Sequence, residues 1–290
     1  MTTAVAAPFR FFSLQIVRTR RLGLSLVRIT FAGDDLRAFH SGGRDQSLSL
    51  FLPHPGQSEP AVPIELGDRW WQGWRELPDD VGAVMRSYTL RALRRDPDEI
   101  DIDFVLHGVE PGATVPAGPA SRWASRAAPG DRVVLLGPAV EDNRAIRFRP
   151  PEDTDLIALW ADQSAVPAAT AILERLPPGT RVHAWLEAGH ADDVQEVVTR
   201  ADAEIIWLVH SASHRPEYVD GAPVALGLAA LRDAGLPEAG APYVWIAGES
   251  GQIKELRRHF VGERGIDRRR VTFAGYWRHG LSEDQLRAEE

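Results

Sequence analysis

From Phe9 to Arg18, and again from Gly23 to Ala32, apolar and polar residues alternate with a period of roughly two, as in half-buried antiparallel strands. Four more runs of the same character follow at Leu48–Pro53, Arg86–Ala92, Ile100–His107 and Arg132–Gly137. Gly, Pro and Asp separate most of them. Six short strands so spaced predict an antiparallel, Greek-key-like β-barrel. Residues Pro55 to Val84, which carry Trp70, Trp71 and Trp74, read as a long excursion between strands.

The pattern changes around Pro150-Pro151. Continuous apolar runs at Leu156–Ala161, Arg181–Glu187, Glu204–His210, Tyr243–Ala247 and Arg270–Tyr276 read as strands. Between them Ala165–Leu176, Asp192–Arg200, Val224–Ala234 and Ser250–Val261 read as helices. Strands without alternation, interleaved with helices, predict a doubly wound parallel sheet covered on both faces. The expected domains are therefore 1–150, a β-barrel, and 151–290, an α/β domain. A length of 290 residues also suits two domains.

Composition narrows the chemistry. No cysteine is present, which excludes thiol catalysis, Cys-ligated zinc, iron–sulfur clusters and disulfides. The net charge is −8 and no Lys/Arg run is long enough for a nucleic-acid footprint, so no nucleic-acid partner is expected. Basic residues are almost all Arg; Lys254 is the single Lys. Met1–Pro8 lacks the basic and apolar segments of a signal peptide, and no apolar stretch reaches about 18 residues. Together these predict a cytoplasmic protein without membrane insertion.

The most informative run is Arg86-Ser87-Tyr88-Thr89-Leu90-Arg91. On a strand, alternation sets Arg86, Tyr88 and Leu90 on one face and Ser87, Thr89 and Arg91 on the other. A flat cofactor can stack on Tyr88, a guanidinium offers fixed donors to phosphate, and a hydroxyl can reach a flavin ring near N5. A barrel strand with solvated arginines accounts for the run equally well. The second segment is Asp101-Ile102-Asp103-Phe104-Val105-Leu106-His107, followed by Gly118-Pro119-Ala120-Ser121-Arg122-Trp123 and a short helix from Ala120 to Arg126. Its start exposes N–H groups suited to a diphosphate, though it also reads as an ordinary helix closing a barrel.

In the α/β half no GxGxxG occurs. Instead Asp162-Gln163-Ser164-Ala165-Val166-Pro167 leaves the carboxyl end of the first parallel strand, where open α/β sheets bind ligands, and Gly248-Glu249-Ser250-Gly251 faces the same crevice. His210 and His214 leave a strand for a loop and predict no metal site. GxSxG is absent, and the pairs Asp34-Asp35 and Asp192-Asp193 fit capping at turns and helix starts.

Taken with Trp245-Ile246-Ala247-Gly248-Glu249 and Gly275-Tyr276-Trp277-Arg278, these motifs resemble the siderophore-interacting protein family, flavin-dependent ferric-siderophore reductases of the ferredoxin-reductase-like superfamily. The resemblance covers nearly the whole chain. It implies an FAD-binding barrel and an NAD(P)H-binding α/β domain, with NADPH or NADH as electron donor and a ferric siderophore as substrate. Arg86, Ser87, Tyr88, Thr89 and Arg91 would hold the flavin side of FAD. Asp103, Phe104, Val105, His107, Pro119, Ala120, Ser121 and Trp123 would hold the rest. Nicotinamide would lie against Asp162, Ser164, Ala165, Pro167, Gly248 and Glu249, and the anionic chelate near Arg278 and His279. No side chain need act as acid, base or nucleophile.

Four departures stand out. Ala161, Gln163 and Ser164 replace the family's Gly, Glu and Thr, which narrows the backbone approach and removes a charge. Ser49 replaces a Lys, leaving Arg278 and His279, with Arg268 to Arg270 upstream, as the cations for a chelate. The departures keep two alternatives open: a flavin enzyme of a biosynthetic pathway, and an FAD-containing siderophore-binding protein without nicotinamide turnover.

Overall fold

The computed structural model describes residues 8–109, 112–113, 116–210, 218–219, 222–223 and 226–288. The chain divides into two compact units: Met1–Leu22 with Leu26–Ile146, and Gly23–Ser25 with Arg147–Glu290.

The first unit is an antiparallel sheet of seven strands: β1 (Phe9–Arg21), β2 (Leu26–Ala32), β3 (Ser47–Leu52), β4 (Val84–Thr89), β5 (Ala92–Arg94), β6 (Glu99–Val105) and β7 (Arg132–Pro138), in the order β4-β3-β7-β1-β2-β6-β5. It exceeds the expected six by one because the run Arg86–Ala92 does not continue as a single strand. β4 stops at Thr89, and the chain resumes as β5, paired with β6 at Ala92↔Asp101. The sheet curls as a half-barrel around one core. Phe12, Leu14 and Ile16 from β1, Ile29 and Phe31 from β2, Leu48 and Leu50 from β3, and Ile100, Ile102 and Phe104 from β6 all point into it. This is the period-two signal at work, alternate residues entering the core.

The excursion after β3 forms a 3₁₀ turn (Ile64–Arg69) and the short helix α1 (Trp70–Arg75). Trp70 and Trp74 pack on Phe11, Phe51 and Met85 on the outer side of the sheet. Trp74 Nε1 donates to the carbonyl of Ala83 at 3.0 Å. A second short helix, α2 (Pro119–Ala124), precedes β7.

The second unit holds the parallel strands β8 (Leu156–Ala161), β9 (Arg181–Ala188), β10 (Asp202–Val209), β13 (Pro242–Glu249) and β14 (Val271–Trp277), in the order β10-β9-β8-β13-β14. A two-residue ladder, β11 (Tyr218–Val219) with β12 (Ala222–Pro223), lies between β10 and α4 in the chain. The helices are α3 (Val166–Leu173), α4 (Leu226–Ala234), α5 (Ser250–Arg258) and α6 (Glu283–Ala288). Val224 and Ala225, expected in the same helix as α4, lie outside the described residues.

β8 shows why its run is unbroken. Ile157, Leu159 and Ala161 enter one core with α3, while Ala158 and Trp160 enter another with Leu231 of α4 and Ile253 and Leu256 of α5. The helix expected at Asp192–Arg200 does not form. Ala191–Asp193 is a 3₁₀ turn, Val194 is extended, and the segment continues without regular structure. Val194, Val197, Val198 and Thr199 are β-branched and weak helix formers. Asp193 is fully buried and accepts from the backbone N–H and hydroxyl of Ser25 at 2.9 and 2.5 Å.

Candidate functional site

In the first unit, β4 and β6 run beneath α2. Tyr88 rests against Phe104, ring centroids 4.3 Å apart, and Phe104 against Trp123 of α2 at 5.9 Å. Phe104 is fully buried, so it supports Tyr88 from below. Arg86 and Tyr88 are half-buried, Ser87 is exposed and Thr89 is buried. Register sets Ser87 opposite Ser49 and Arg86 opposite Leu50.

The hydroxyl of Ser121 accepts from the backbone N–H of His107 and donates to its carbonyl, both at 2.9 Å. That reciprocal pair ties the start of α2 to the chain after β6. The His107 ring lies over Gly118, within 3.4 Å of where a β-carbon would stand. Gly118, the cap residue of α2, offers no side-chain acceptor to the first turn.

Asp103 is committed elsewhere. Arg28 Nε and Nη2 each donate to it at 2.7 Å, and Arg91 Nε lies 3.8 Å from its Oδ2. It is the last rung of a ladder on the outer face of β6. Glu99 there pairs with Arg18 and Arg94, and Asp101 with Arg94 and the Thr30 hydroxyl. An aromatic face, guanidinium groups and a helix start capped only by glycine form a donor set that suits a flavin and its diphosphate.

In the second unit the strand order reverses between β8 and β13, the point where open α/β sheets bind dinucleotides. Asp162 follows β8 and Gly248-Glu249 end β13, so the expected residues do meet there. Their carboxylates, however, are engaged by the protein. Asp162 Oδ1 accepts from the N–H of Ser164 (2.9 Å), the Ser164 hydroxyl (2.6 Å) and the N–H of Ala165 (3.2 Å). Its Oδ2 accepts from Trp277 Nε1 at 2.7 Å. Burial pushes the Asp162 carboxyl up to about 6, against the pull of the Ser164 and Trp277 hydrogen bonds. Glu249 caps α5, accepting from the N–H groups of Gly251 and Gln252 at 2.6 and 2.9 Å, and also accepts from the His279 N–H at 3.2 Å. Both acids thus shape the loops of the crevice. Pro167 and Ala165 are buried at the start of α3.

The three departures at residues 161, 163 and 164 have physical settings. The Ala161 methyl points into the core below the sheet, not into the crevice. Ser164 keeps the hydroxyl bond to Asp162 that a Thr would make. The Gln163 amide donates to the Ser25 hydroxyl at 2.5 Å and to Asp193 at 3.3 Å. A glutamate there would set a second carboxylate against buried Asp193.

Arg278 and His279 are exposed just beyond β14. Arg268–Arg270 form a 3₁₀ turn in which Arg269 pairs with Asp267 and Arg270 with Asp153. One feature escaped the sequence: at the carboxyl ends of β9 and β10, buried Glu187 accepts from His210 Nε2 and from the Gly227 N–H, both at 3.1 Å. The Glu187 hydrogen bond raises the His210 pKa. The spacing between residues 187 and 210 carries no motif, so only the parallel register exposes the pair. Among the described residues no cluster could hold a metal ion, and no helix is long and apolar enough to cross a membrane. His214 lies outside the described residues.

An antiparallel half-barrel sheet of seven strands and a parallel sheet of five make the fold ferredoxin-reductase-like. Residues 15–142 match the model of the siderophore-interacting FAD-binding domain, and 154–280 that of the siderophore-interacting protein. The chain belongs to the siderophore-interacting protein family. It is 30% identical to the NADPH-dependent ferric-chelate reductase of Escherichia coli, over 92% of this chain and 93% of that protein. It is 27% identical to the ferric vibriobactin reductase ViuB of Vibrio cholerae, over 95% and 92%. A siderophore utilization protein from T. fusca superposes with a TM-score of 0.74 at 30% identity, covering 95% of each chain.

Proposed function

We propose that the protein is an FAD-dependent oxidoreductase that takes electrons from NADPH or NADH and reduces a ferric siderophore in the cytoplasm, releasing Fe(II). The observation that carries this reading is the match to a ferric-chelate reductase over 92% of the chain, across both units. FAD, when bound, would supply the chemistry that converts hydride transfer from a nicotinamide into single-electron transfer to a ferric chelate. The chain's own part is binding and orientation.

On this reading Tyr88 backs the flavin ring, with Ser87 and Thr89 as nearby hydroxyls, while Arg86 and Arg91 serve its phosphate side. Val105, His107 and the start of α2 at Pro119 and Ala120 take the remainder. Ser121, Phe104 and Asp103 hold those groups in place. Asp162, Ser164 and Glu249 fix the loops against which nicotinamide lies. Gln163, the departure that favoured a different enzyme, is explained by its bond to the Ser25–Asp193 pair.

The purified protein should be yellow. Anaerobic NADPH or NADH should bleach it, and a ferric chelate should restore the colour while a ferrous-specific chelator reports Fe(II). A protein that binds no FAD, or one whose flavin neither nicotinamide bleaches, contradicts the proposal.

A further inference from the structure

We infer that Arg28 is a positioning residue for FAD, acting through Asp103 on Arg91. The inference rests on the reading that Arg91 contacts the cofactor. Arg28 and Asp103 face each other directly in the β2–β6 register, so the strand ladder itself aligns the fork with the carboxylate. The clamp is bidentate, 2.7 Å on both prongs, and nearly dry: the Asp103 side chain is 2% exposed and that of Arg28 16%. A bidentate guanidinium–carboxylate pair fixes the plane of the carboxylate as well as its place.

Arg91 stands beside the same carboxylate. Its Nε is 3.8 Å from Asp103 Oδ2, and its side chain is 10% exposed. The backbone beneath it is pinned too, since the Arg91 N–H donates to the Asp101 carbonyl at 2.9 Å. Arg91 therefore has its main chain anchored to β6 and its guanidinium held at a set distance from a carboxylate that cannot turn. Removal of Arg28 frees that carboxylate, which then closes on Arg91 and draws the guanidinium from its cofactor-facing pose. The other two rungs behave differently. Glu99 and Asp101 share Arg94 on β5. The Asp103 rung reaches Arg91, at the end of the Arg86–Arg91 run.

The test uses the full-length protein, stripped of flavin and titrated with FAD by fluorescence quenching. Arg91→Ala should weaken FAD binding about tenfold or more; if it does not, the underlying reading of Arg91 fails, whatever Arg28 does. Arg28→Met should raise the FAD Kd by about threefold to tenfold, and Arg28→Lys should fall between, keeping charge but losing the fork. The double variant Arg28→Met/Arg91→Ala should bind no worse than Arg91→Ala alone, because both changes act through one group. Should Arg28→Met fail to fold, Arg28→Lys and its double with Arg91→Ala give the same comparison. Wild-type affinity with a lowered melting temperature, or losses that add in the double variant, would overturn the inference.

Discussion

Asp162 is the residue whose environment asks most of it. Burial raises its pKa to about 6, above the roughly 3.9 of an unfolded chain, so the folded protein holds that proton more tightly. Stability from protonated Asp162 is complete below about pH 4 and is lost as pH rises through about 6. Melting temperature measured across this window should fall more for wild type than for Asp162→Asn. Trp277→Phe removes a donor that favours the carboxylate, so the Asp162 titration seen in its carboxyl carbon shift should move upward. At the substrate end, Arg278 is exposed, and an exposed ion pair is worth about 0.2–1 kcal/mol. Arg278→Ala should therefore raise the KM for an anionic ferric chelate by no more than about fivefold, with the nicotinamide half-reaction unchanged. Such distinctions lay beyond the sequence. Asp162, Asp103 and Glu249 were legible as members of motifs, whereas their engagement by protein donors appears only when Trp277, Arg28 and His279 come near in space.

At the scale of the element, the turn from β13 into α5 is built on a glycine that has no substitute. Gly248 has φ of 149°, and a β-carbon on it would stand 2.4 Å from the Asp162 carboxyl carbon. Gly248→Ala should cost about 1–3 kcal/mol in denaturant unfolding, since the clash is with a buried, fourfold-bonded group. Glu249→Ala, which removes the α5 cap, should cost about 0.5–2 kcal/mol by the same measurement. Elements with a single dominant signal were readable in advance. β1 and β2 showed alternation, and β8 and β13 showed continuous apolar runs. The run from Arg86 to Ala92 was not readable as two strands, because its residues suit a strand throughout and the break comes from where Gln46 and Asp101 accept the N–H groups of Leu90 and Arg91. The Asp192–Arg200 segment failed for the opposite reason. Its acidic start suits a helix cap, but Asp193 serves Ser25, far away in sequence.

For the whole molecule, period in the sequence revealed a sheet of one kind followed by a sheet of another, yet gave no hint that Gly23–Ser25 count with the second unit. The tryptophans also differ in exposure. Trp160, Trp185 and Trp245 have no exposed surface and lie in the middle of the parallel sheet, while Trp71 of the first unit is 38% exposed and Trp277, at the end of β14, 40%. Trp160→Ala should cost about 3–5 kcal/mol, enough to compromise that sheet's core. The same arrangement is a built-in spectroscopic ruler. Indoles sealed in a core emit towards the blue and hydrated ones towards the red, so the emission band is a composite whose blue flank belongs chiefly to the parallel sheet. Followed at two wavelengths during a denaturant ramp, wild-type protein should show whether the two flanks melt at one midpoint or two. The Trp160→Ala protein should lose its blue flank first.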